Sequence, residues 1–142
     1  MSLLHPRYWP TWIGLFIYFL FTLLPDAFID WLACRLGGIA AGKNKKRFNI
    51  AKVNLSLCFP EKDDAEIESM AVEHFKAQAR SVFHYYILWW RPASYVRKKL
   101  QMVGFEQVEL YRQQGKNIII LLLHNVGLEF AGAAISMRFQ TV

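Results

Sequence analysis

The stretch Asn117-Ile118-Ile119-Ile120-Leu121-Leu122-Leu123-His124-Asn125-Val126-Gly127-Leu128-Glu129 decides how this chain is read. Its aliphatic run follows the turn-like Gln114-Gly115 pair and reads as a strand buried on both faces. Such a strand delivers the next residue to one rim of a sheet, where α/β proteins keep their sites. His124 stands at that rim. If Leu128-Glu129-Phe130-Ala131 opens a helix, the short Asn125-Val126-Gly127 link folds Glu129 back toward the imidazole. A carboxylate there fixes the tautomer and stabilises the charged ring that a general-base histidine forms. On spacing alone, a surface histidine beside an unrelated helix-start glutamate is the simpler reading, because a His-x4-Glu pair is a weak motif.

The residues upstream extend the same pattern. Leu100 to Val103 reads as a short strand broken at Gly104, and Glu106 to Gln113 as a surface helix. Strand, helix, strand, His and helix make a βαβα opening, with a right-handed crossover and a parallel sheet. Two strands leave an apolar edge uncovered, which points to a fold completed by further chain. Before them, Asp63 followed by Glu66 is a capping-box start. Ile67, Met70, Ala71, Phe75, Ala79, Val82, Phe83 and Tyr86 then recur at helical spacing and predict a core-facing helix ended by Arg91-Pro92. His74 and His84 ride on that helix and read as solvent-facing or structural. Tyr85-Tyr86 and Trp89-Trp90 are candidates for an acyl groove, with aromatic packing the simpler role.

At the N-terminus, Tyr8 to Leu24 is a run of 17 residues without a formal charge. As a helix it reaches about 26 Å, slightly less than the ~30 Å hydrocarbon core, so it either spans or lies as a deep anchor. Its bulky Trp and Phe residues argue against a signal peptide. Ala27 to Ala41 carries Phe28, Trp31, Leu32, Leu36 and Ile39 at helical spacing, for packing against the anchor or for the membrane interface. The charge is uneven: residues 1–60 hold seven Lys and Arg against two Asp, whereas residues 61–142 hold ten against nine acids. A positive excess beside an apolar segment suits anionic headgroups, and if the helix spans, positive charge after it places the rest in the cytoplasm. Nucleic acid is disfavoured, because it leaves the apolar run unexplained. Cys34 and Cys58 fit neither a disulfide framework nor a metal site and are expected to be buried free thiols.

His5-Pro6-Arg7-Tyr8-Trp9-Pro10-Thr11-Trp12, Asn54-Leu55-Ser56-Leu57-Cys58-Phe59-Pro60-Glu61, Trp89-Trp90 and Val103-Gly104-Phe105-Glu106 precede the His-x4-Glu in that order. This succession resembles the late acyltransferases of lipid A biosynthesis, and within them the lauroyl or palmitoleoyl transferase branch. The resemblance runs through nearly the whole chain, and the blocks at Leu4–Trp12 and Asn54–Pro60 are its most specific parts. Family members continue for roughly as long again, so it implies an N-terminal half, inactive alone.

The resemblance implies that His124 is a general base and Glu129 its partner. It implies an acyl-carrier-protein thioester as donor and the hydroxyl of an acyl chain on a Kdo-modified lipid A precursor as acceptor. Neither a metal nor another cofactor is implied, and the site is expected on the cytoplasmic side of the bacterial inner membrane. The absence of a Gly-x-Ser-x-Gly elbow, and of a cysteine near His124 in the sequence, favours direct transfer over a covalent intermediate. One departure is Asn125, where family members often carry Phe. The expected architecture is α/β: a membrane anchor and interfacial helix over 1–42, then the N-terminal part of an acyltransferase domain over 43–142. That part holds helices and the opening strands of a parallel-containing sheet. Two alternatives stay open: a glycerol-phosphate or lysophospholipid acyltransferase, which usually has Asp in place of the Glu, and an inactive membrane-binding fragment.

Overall fold

The computed structural model describes residues 5–139. It divides into two compact units, Met1–Trp90 and Arg91–Val142. In the first, a 3-10 turn at Pro6–Tyr8 leads into α1 (Trp9–Phe21), α2 (Asp26–Lys43), α3 (Lys45–Cys58), α4 (Asp64–Phe83) and α5 (Tyr86–Trp90).

The core of this unit is the contact of α2 with α4. Ile29, Ala33, Gly37 and Ala41 recur every four residues along α2 and form its buried stripe. Small side chains there let the two backbones close tightly. A Cβ on Gly37 would lie 2.7 Å from the Cα of Lys76 and 2.8 Å from the carbonyl oxygen of Phe75. α4 meets this stripe with Ile67 and Ala71 and begins as the sequence predicts. The Glu66 amide donates to the Asp63 carboxylate at 2.8 Å, and the Asp63 amide donates back to Glu66 at 3.3 Å. Polar ties join the start of α2 to the end of α4 and to α5. The hydroxyl of fully buried Tyr86 donates to Asp26 at 2.6 Å, and His84 Nε2 lies 3.0 Å from Asp30. A buried phenol needs such a partner. α1 is held by the Tyr18 hydroxyl, which donates to the Val82 carbonyl at 3.0 Å, and by edge contacts of Tyr18 with Trp89 and Phe19 with Trp90. Trp89-Trp90 therefore serve packing here, the simpler of their two readings.

The second unit contains α6 (Ala93–Lys99), α7 (Glu106–Gln113) and α8 (Leu128–Arg138). α7 has the predicted bounds. Gly104 and Gly115 adopt φ of +81° and +69°, left-handed values that glycine takes without a Cβ clash, and they bracket this helix. Val96 on α6 and Ile135 on α8 are buried, and Phe139 stacks on Phe105 at 6.0 Å.

Two expectations are overturned. Neither Leu100–Val103 nor Asn117–Leu123 is a strand, and among the described residues there is no sheet, so the α/β architecture is replaced by an all-helical one. A strand is defined by a neighbour that takes its hydrogen bonds, and neither segment has a ladder partner among the described residues. The aliphatic run keeps the side-chain habit of an extended chain nonetheless. Ile118, Ile120 and Leu122 are 37%, 38% and 41% exposed, whereas Ile119, Leu121 and Leu123 are 97%, 90% and 76% exposed. Burial is thus partial and on one face, not complete on two.

The N-terminal membrane-anchoring helix is also overturned: no helix among the described residues is long and apolar enough to cross a membrane. α1 stops after 13 residues, about 20 Å of rise, well short of a ~30 Å core. Its last turn tightens as the Thr22 hydroxyl and amide both donate to the Phe19 carbonyl, and Pro25 precedes α2. The charges of α2, Asp26, Asp30, Arg35 and Lys43, keep the next 18 residues from extending the apolar run. The thiols differ from expectation too: Cys58 is exposed and Cys34 half-buried.

Candidate functional site

His124 ends the extended run, and Glu129 is the second residue of α8. Between them Asn125 organises the turn. Its side-chain oxygen accepts from the Gly127 amide at 2.9 Å, and its carbonyl accepts from the Leu128 amide at 3.2 Å. This Asx turn lets the chain pass from extended to helical within three residues. The sequence marked Asn125 only as a departure; Asn followed two residues later by Gly was the available signal for its turn-forming role.

The predicted pair thus flanks this turn, His124 before it and Glu129 after it, with both side chains exposed, and the imidazole and carboxylate do not join in an ion pair among the described residues. Glu129 lies in the first turn of α8, where the helix dipole favours a carboxylate.

A cavity of about 610 Å³ lies within the second unit. Ile118, Ile120 and Leu122 form one wall, and Val108, Ile135 and Phe139 of the α7 and α8 region form the other. In a mixed lining that also includes the polar Asn117 and Ser136, positive charge comes from Arg112 and Lys116. The sequence did not single out these two residues. The side-chain alternation of the run is what assembles the wall, and the aliphatic uniformity of 118–123 conceals which residues contribute. His74 is exposed and His84 is engaged with Asp30, in keeping with their structural or solvent-facing reading. Among the described residues no cluster of His, Cys, Asp or Glu has the makings of a metal site.

Comparison with known proteins identifies the chain. The family described as bacterial lipid A biosynthesis acyltransferase matches residues 1–142. The chain is 33% identical to the lipid A biosynthesis palmitoleoyltransferase of Escherichia coli over 134 residues, 94% of this chain and 44% of that protein. It is 31% identical to the lipid A biosynthesis lauroyltransferase of the same organism over 137 residues, 96% of this chain and 45% of the relative. To the myristoyltransferase it is 30% identical over 139 residues, 98% and 43% of the two lengths. No solved structure matches. The chain therefore spans less than half the length of these curated relatives, and with a family match covering every residue, it belongs to the bacterial lipid A biosynthesis acyltransferases.

Proposed function

We propose that this chain carries the general-base portion of an O-acyltransferase of lipopolysaccharide biosynthesis. The observation that supports it most is the exposed pair His124 and Glu129 flanking one short turn, in a chain matched throughout by the lipid A acyltransferase family. The donor is an acyl-carrier-protein thioester, and the acceptor is the hydroxyl of an acyl chain on a Kdo-modified lipid A precursor. His124 takes the hydroxyl proton as the oxygen attacks the thioester carbonyl. Collapse of the tetrahedral adduct breaks the C–S bond, forms the ester and leaves a thiolate, which receives the proton from the imidazolium. Glu129 orients the ring and stabilises its charged form, closing onto it when the acceptor is bound. The cavity of the second unit, with apolar walls and with Arg112 and Lys116 in its lining, suits an acyl chain that carries an anionic group. The reaction takes place at the cytoplasmic face of the bacterial inner membrane.

The family match favours this reading over glycerol-phosphate or lysophospholipid acylation. Its test is acyl transfer to a lipid A precursor by the protein as its cell produces it, beside its His124→Ala variant. A general base contributes about 10²–10⁴ in rate, and a loss of that size is expected. Glu129→Ala loses less. Turnover by His124→Ala at the native rate refutes the assignment. A native product that binds membranes without transferring acyl groups supports the inactive membrane-binding reading instead.

A further inference from the structure

Ile29 apart, α2 turns small residues inward and carries its other large apolar residues outward or half-buried. Trp31 and Ile39 are each 54% exposed, and Phe28 and Leu36 are exposed beside them. The rings of Phe28 and Trp31 stack at 5.7 Å, so the aromatic part is one continuous surface. A helix on the surface of a water-soluble unit shows the reverse arrangement, with large apolar residues on the core side.

The stripe runs into positive charge. The Arg35 guanidinium lies 5.8 Å from the centre of the Trp31 ring. Leu36 and Ile39 share a shallow trough with Lys43, Lys45 and Lys46, where α2 gives way to α3. None of these three lysines forms an ion pair among the described residues. The two acids of α2 are engaged elsewhere, Asp30 with Arg80 and His84 and Asp26 with Tyr86.

We propose that this face of α2, with the start of α3, docks in the plane of an anionic lipid bilayer. The aromatic and aliphatic side chains enter the boundary between headgroups and acyl chains, and the lysine stems carry their charges to the lipid phosphates. Charge complementarity selects the partner. A nucleic acid answers the cations but not the apolar stripe, and an apolar protein surface answers the stripe but not the cations. The inference deepens the membrane part of the function proposed above. It owes nothing to the roles given to His124 and Glu129.

The test is co-sedimentation of the 142-residue chain with phosphatidylcholine vesicles and with vesicles that also contain phosphatidylglycerol. The native chain should partition far more strongly to the anionic vesicles and be released by salt, a measure that needs no variant. Each juxtamembrane cation contributes roughly fivefold, so Lys43→Gln/Lys45→Gln/Lys46→Gln together should lose about 100-fold on anionic vesicles and little on neutral ones. Trp31→Ala/Ile39→Ala should weaken partition to both kinds by about tenfold or more. These side chains are exposed, and circular dichroism confirms that the helices persist. Equal partition of the native chain to the two compositions, or native partition by either variant, overturns the proposal. So does a lipid-free dimer that buries Trp31. His124→Ala must bind vesicles like the native chain, which keeps a failure of the catalytic assignment separate from a failure of this one.

Discussion

Gly37→Ala tests the close approach that holds the first unit together. An added Cβ would stand 2.7 Å from the Lys76 Cα and 2.8 Å from the Phe75 carbonyl oxygen, with the Ala79 Cβ at 3.1 Å. The two nearest obstacles are backbone, so no side chain can swing aside and α4 itself has to move. Overpacking of this kind costs about 1–3 kcal/mol, and a backbone obstacle belongs at the upper end. Alanine recovers up to ~1 kcal/mol of helix propensity, which leaves a net loss of about 1–2 kcal/mol. Gly38→Ala is the internal control. Its Cβ meets only the flexible Lys76 Cε at 3.8 Å, an ordinary contact, so the propensity gain of roughly 0.5–1 kcal/mol stands alone. Two neighbouring and chemically identical substitutions should therefore shift stability in opposite directions, by about 2 kcal/mol between them. Guanidinium titrations followed by helical circular dichroism measure this directly. In thermal melts each kcal/mol is worth about 4–8 °C for a unit of this size. Should Gly37→Ala prove as stable as Gly38→Ala, α2 and α4 do not pack at this distance and the account of the core is wrong.

Three further outcomes follow from the geometry. Asp63→Ala removes one side of the capping box at α4 and should cost about 1 kcal/mol in the same titration, with Asp63→Asn nearly neutral. Ile120→Ala should cost about 1–2 kcal/mol and Ile119→Ala less than ~0.5 kcal/mol, because Ile120 lines the cavity wall while Ile119 is exposed; equal costs would contradict the alternation. Burial, and then the nearby Tyr85, raise the Tyr18 pKa above its ordinary 10.0. The folded state thus holds that proton more tightly than the unfolded chain, and the associated stability is intact below pH 10.0 and is lost as pH climbs through the folded pKa. Tyr18→Phe should be weaker at neutral pH, lacking the bond to the Val82 carbonyl, yet lose less on going alkaline; a denaturant midpoint that falls in parallel with the native one refutes this.

Much of the local structure was legible in the residues. Asp63 and Glu66 announce the start of α4, and the apolar spacing that follows announces its buried face. Glu106–Gln113, set between two glycines, is read to its bounds. The helix that opens at Leu128 was legible as well, and so was the family, from the ordered blocks that start at Leu4; the expected approach of Glu129 to the His124 imidazole forms no ion pair among the described residues. Leu4 itself lies outside the described residues. The tertiary structure decided three other matters. The large apolar residues of α2 left packing and the membrane interface both open, and the interior took Ile29 with Ala33, Gly37 and Ala41, because small residues at the last three positions let α4 approach closely. The uncharged run from Tyr8 to Leu24 left spanning and a deep anchor both open, but its helix ends at Phe21, where the Thr22 hydroxyl and amide draw the last turn closed. The run 118–123 has the composition of a buried strand and the alternation of an extended chain, but no partner strand among the described residues. Caps, spacing and turn chemistry act within a few residues and are written locally, whereas a sheet and a buried face exist only through a neighbour that the local sequence does not name.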